Sequence, residues 1–177
     1  MKKASLIMVL LGVVGIFVGV LEYVTGRAAL NVYFLNNFTF SKFLADHSTF
    51  APHIYGRLGQ WVPDFFHAFS FSLISIGLFS TSRFSRAAFC ILWFGIDALF
   101  EIGQRYGVEI APYIPSWFNK MPFLENTKNY FLNGRFDKFD IVAFFLGGLG
   151  AYVIAELLIG GIRYGEARKG RGEIRIS

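Results

Sequence analysis

Four apolar stretches, each about as long as a bilayer's hydrocarbon core is thick, leave this chain little choice of fold. They run over 4–24, 61–81, 87–104 and 139–162. In hydrocarbon, backbone N–H and C=O groups must be satisfied within the protein, so each stretch reads as a helix. The expected fold is all-α: an integral membrane four-helix bundle forming one domain over 1–177, with two long, partly helical outer connections. Composition agrees. The chain is 54% hydrophobic and only 16% charged, against about 25% charged in a soluble domain. Aromatics make up 19%, which suits lipid contact and an interfacial belt.

Four spans put both termini on one side, and the basic residues choose it. Segments 1–3, 82–86 and 163–177 hold nine Lys/Arg, whereas the much longer connections 25–60 and 105–138 hold eight. The positive-inside rule then places both termini and the TSRFSR turn in the cytoplasm. The tail 163–177 reads as a flexible basic cytoplasmic end beside anionic headgroups. Nucleic acid is not an expected partner, despite the net charge of +5. The first stretch is too long for a signal-peptide core and is followed by no clean cleavage site, so it reads as a span. Its Gly12, Gly15 and Gly19 let another helix approach closely. The spacing argues packing and leaves a homo-oligomer open. The single cysteine, Cys90, excludes an intrachain disulfide and reads as a small buried hydrophobe.

The connection 25–60 is rich in Phe, Tyr and Asn and suggests an interfacial or re-entrant helix. It also holds His47, His53 and a formal sequon at Asn37. Residues 106–136, with Pro112, Pro115, Pro122, Trp117 and Phe118, read as a structured cap with aromatic anchors.

The chemistry lies in polar residues where a membrane disfavours them. Asp97, Glu101 and Gln104 recur at i, i+4 and i+7, one stripe of the third span. Trp93, Phe94, Leu99 and Phe100 are expected on the opposite side. A charge in a span costs at least about 2.5 kcal/mol, so it calls for a partner or a task. His67 in the second span, and Arg135, Asp137 and Asp140 at the mouth of the fourth, lie at a similar outer depth. Two carboxylates one turn apart repel when ionised. Arg135, whose fork suits a carboxylate or a phosphate, is the expected partner between them. Glu22 and Asp64 read as interfacial, and Glu156 as a partner for Arg163. His67, Asp97, Glu101 and Asp140 could in principle hold zinc or manganese, but no tight ligand spacing supports it. No metal or cofactor is expected.

The run Glu101-Ile102-Gly103-Gln104, then GRFDKFD, then a helix with Gly147, Gly148 and Gly150, preceded by His67 one span earlier, resembles the VanZ-like family of small multi-pass bacterial membrane proteins. The resemblance covers about residues 61–155. It implies a bacterial inner-membrane, cell-envelope context, with His67, Glu101, Gln104, Arg135, Asp140 and Gly147 at the family's recurrent positions. Phe144 stands where the family usually carries Asn.

Three functions follow. The leading expectation is binding of a lipid headgroup or lipid-linked envelope intermediate at an outward-facing polar cleft by His67, Asp97, Glu101, Gln104, Arg135, Asp137 and Asp140. The second is a membrane hydrolase or transferase, with Glu101 or Asp140 as base, His67 as acid and Arg135 as phosphate clamp. The third is a non-catalytic assembly partner whose polar cluster is structural.

Overall fold

The computed structural model describes residues 2–26, 59–121 and 124–173. The described residues contain no strand, and four helices are long and apolar enough to cross a membrane. The first is α1 (Lys2–Gly26). Next come α2 (Val62–Phe79) and α3 (Arg83–Arg105). Two short helices, α4 (Gly107–Ile110) and α5 (Thr127–Asn133), precede the long α6 (Lys138–Glu173).

Local chemistry sets the boundaries. Pro63 and Asp64 occupy the first turn of α2, where a missing N–H costs nothing and a negative charge meets the helix dipole favourably. The third span begins four residues earlier than its apolar run, because Ser82 caps it. Ser82 Oγ accepts from Ser85 N at 3.1 Å, and Ser82 N donates back to Ser85 Oγ at 3.0 Å, a capping box. The expected TSRFSR turn is therefore confined to Ser80–Ser82, and Arg83 and Arg86 belong to α3. At the far end α6 runs on to Glu173, although its apolar span ends at Ile162. The expected flexible tail is thus helical over most of its length. Extending a nucleated helix needs only one hydrogen bond per residue, so the polar segment propagates from the span.

Helix α2 is the central element. The glycines of α1 lie against it in reverse order: Gly12 beside Ile74 and Ser70, Gly15 beside Ser70 and Phe66, Gly19 beside Phe66 and Pro63. A methyl on Gly12 would sit 2.6 Å from Ile74 Cγ1 and 2.8 Å from the Ser70 carbonyl oxygen. The expected close approach is therefore made within the chain, onto α2. Gly147 and Gly150 of α6 pack on Phe65 and Phe69 in the same order as α2, so those two helices run parallel. Helix α3 runs opposite to both. His67 meets Asp97 and Ser75 meets Trp93 on the α2 side, while Phe94 meets Phe145 on the α6 side.

Small residues and a few aliphatics form the interior: Ala4, Met8, Leu73, Ile76, Cys90, Ala151 and Ala155. Large apolar side chains point outward instead, among them Leu10, Phe17, Leu92, Leu99, Phe145 and Leu157. That inversion suits helices surrounded by lipid, where small residues let backbones approach and apolar surface outside carries no cost. Residues 27–58, with Asn37, His47 and His53, lie outside the described residues, as does Pro122. Between α4 and α5, short 3-10 turns at Ala111–Tyr113 and Ser116–Lys120 carry Pro112, Trp117 and Phe118, with Pro115 immediately before the second.

Candidate functional site

The polar stripe of α3 serves two separate arrangements. The first centres on Glu101, 3% exposed. Its Oε1 accepts from the backbone N–H of Asp137 at 2.6 Å, and its Oε2 accepts from Gln104 Nε2 at 3.2 Å. Gln104 Nε2 also donates to the Tyr130 hydroxyl at 2.5 Å. Gln104 thus joins α3 to α5, while Glu101 joins α3 to the start of α6. Hydrogen bonds to a charged group contribute about 1.5–3 kcal/mol each, and a buried carboxylate left without them is costly. Phe131 seals this joint by lying against Gly103 and Gly107, one turn apart, where side chains would collide with it. It also stacks on Phe100 at 5.5 Å.

Asp137 has a local task as well. Its Oδ1 accepts from the backbone N–H of Phe139 at 2.9 Å, capping α6. Asp140 follows in the first turn of α6, half-buried. Arg135 is exposed and forms no ion pair among the described residues. The expected bridge from Arg135 to the α3 carboxylates is not made: a backbone N–H and a side-chain amide meet Glu101 instead.

Tyr130 is the member of this group that sequence reasoning missed. Burial pushes its hydroxyl well above the ordinary tyrosine range, and the negative charge of Glu101 pushes it further. The Gln104 hydrogen bond pulls the other way, while Asp64 and Tyr23 add smaller upward pushes. Asp64, read from sequence as an interfacial residue, therefore lies within electrostatic reach of the joint. Nothing local marks Tyr130, because its partner is 26 residues away.

The second arrangement is the pair His67–Asp97. Asp97 is 5% exposed, and its Oδ1 lies 3.0 Å from His67 Nδ1. The imidazole itself is 47% exposed. Its ring packs against Phe71, centroids 4.7 Å apart, and Phe71 packs in turn on Trp93 at 4.7 Å. Trp93 Nε1 donates to Ser75 Oγ at 2.9 Å, which fixes this wall. Trp93 was expected opposite the polar stripe, yet it lies one turn before Asp97 on the same face. Four residues rotate a helix by only about 40° beyond a full turn. Phe94 packs on Phe145 of α6, Leu99 is exposed and Phe100 covers Phe131.

At the opposite end of the helices, Glu156 meets two arginines of α3. Arg86 Nε and Nη2 lie 2.7 and 2.6 Å from its Oε1, and Arg83 Nε lies 3.0 Å from its Oε2. Those arginines are 70 and 73 positions away from it, and the side chain of Arg163, the expected partner, lies outside the described residues. Among the described residues no three of His, Cys, Asp and Glu gather as a metal site would require.

No family model, curated protein or solved structure matches this chain.

Proposed function

We propose that this is a VanZ-like multi-pass protein of the bacterial cytoplasmic membrane, with both termini cytoplasmic, that binds a lipid headgroup or lipid-linked envelope intermediate. The contact lies at the outward end of its helices. What supports this reading is Asp97, a carboxylate buried to 5% exposure on a helix apolar enough to span a membrane, holding an exposed His67. Intramembrane ionisable groups are expensive and are retained where they meet polar cargo or one another. Near this end Arg135 is exposed and forms no ion pair among the described residues, so its guanidinium can donate bidentately to a phosphate. The carboxylates Glu101 and Asp137 then act as scaffold rather than as ligands: they place Arg135 and Asp140 beside the α3 terminus.

Native mass spectrometry of protein released gently from membranes tests this. A phospholipid or polyprenyl-phosphate adduct is expected on the wild type and is lost in a folded Arg135→Ala variant. Equal adducts on both proteins, or none on either, would overturn it.

A further inference from the structure

We propose that His67 is a general base, with Asp97 as its positioning residue, acting on an ester bond of an amphiphile. The proposal rests on the headgroup reading and gives that site a reaction.

The geometry is asymmetric in a way that a structural polar pair is not. A structural pair buries both members and satisfies their polar atoms. Here Asp97 is buried while the imidazole is 47% exposed. Asp97 Oδ2 is buried without a hydrogen-bond partner, so the carboxylate is committed to His67 alone. Its Oδ1 lies 3.0 Å from His67 Nδ1, and a neutral imidazole with its proton on Nδ1, facing that carboxylate, presents the Nε2 lone pair as the acceptor. Among the described residues Nε2 has no hydrogen-bond partner. Phe71 and Trp93 hold the ring plane and supply an apolar wall, as an acyl or prenyl chain would require. His67 is the fifth residue after Val62, about 8 Å along α2 from its first residue.

In the step this arrangement supports, Nε2 takes a proton from a water molecule as the water oxygen bonds to the carbonyl carbon or phosphorus of the ester. The imidazolium then returns the proton to the departing alcohol oxygen as that bond breaks. Asp97 stays ionised throughout and stabilises the imidazolium. These roles reverse the sequence expectation of Glu101 or Asp140 as base and His67 as acid. Both oxygens of Glu101 are already held, by Asp137 N–H and Gln104.

Two readouts test the pair. Turnover is measured in micelles with a long-chain carboxylate ester and a long-chain phosphodiester, each bearing a 4-nitrophenyl leaving group. Release from at least one is expected, reduced about 100- to 10,000-fold in His67→Gln and comparably in Asp97→Asn. Nitrogen-15 NMR of histidine-labelled protein is expected to show the Nδ1–H tautomer at His67, lost in Asp97→Asn while the fold persists. Release no faster than that of His67→Gln, for both esters, overturns the base. An unchanged tautomer in Asp97→Asn overturns the positioning role. A retained lipid adduct without turnover would remove the reaction and leave the headgroup reading standing.

Discussion

The backbone N–H of Asp137 donates to Glu101 Oε1 at 2.6 Å, joining the start of α6 to the last full turn of α3. One carboxylate thereby sets where the fourth span begins. Its second oxygen holds Gln104, whose amide reaches Tyr130, so helices α3, α5 and α6 meet at a single buried charge.

Glu101→Gln preserves the shape of that joint but offers one acceptor where two donors converge. The amide nitrogen must then face either Asp137 N–H or Gln104 Nε2. A loss of about 1–3 kcal/mol is expected. It is read as a lower midpoint of thermal unfolding in detergent. An unchanged midpoint would mean that the joint does not hold α6 in place.

Tyr130 gives the joint a dependence on alkali. Its folded-state pKa is raised, by burial first and then by Glu101. As pH passes the ordinary tyrosine value of about 10, the unfolded chain loses a proton that the folded chain keeps. Stability is therefore full below that pH and falls above it, toward the folded-state value. Tyr130→Phe removes this alkaline slope, at a cost of about 1 kcal/mol near neutrality for the lost Gln104 bond. Unfolding midpoints followed across alkaline pH compare the two proteins. Parallel curves would refute the assignment.

The opposite end of the helices supplies a graded comparison. Glu156→Gln leaves the buried Arg86 without its anion, with an expected loss of about 3 kcal/mol. Arg83→Gln removes a guanidinium whose side chain is 80% exposed, and a cost below about 1 kcal/mol is expected. Denaturant titrations of both variants would show this order, and equal losses would contradict it.

Close helix contact is tested at Gly147. A methyl there meets the Phe65 carbonyl of α2, and backbone cannot swing aside as a side chain can. Gly147→Ala is expected to cost about 1–3 kcal/mol through overpacking. Gly160→Ala, on the same helix with nothing within 4 Å, is expected to be neutral or slightly stabilising. Yield of monodisperse protein and thermal midpoint report both, and equal behaviour would argue against a tight α2–α6 contact.

The four spans were legible because hydropathy sums along the chain, and a run of about 20 apolar residues is its own evidence. The i, i+4, i+7 spacing of Asp97, Glu101 and Gln104 likewise places them on one stripe by helix geometry alone. The glycines of α1 announced a close neighbour for the same local reason, without naming α2. Partner choice was not legible. Glu101 takes a backbone N–H rather than Arg135, Glu156 takes Arg83 and Arg86, and Gln104 takes Tyr130. Each of these pairs spans 26 to 73 residues, and its members meet only because α3 lies antiparallel to α2 and α6 at a particular depth. Propensity and hydropathy are properties of a segment, so the long helices and their polar stripe could be read from the chain directly. Which charge is buried, which is paired and which is exposed depends on how the helices stack, a property of contacts between distant segments that no local pattern encodes.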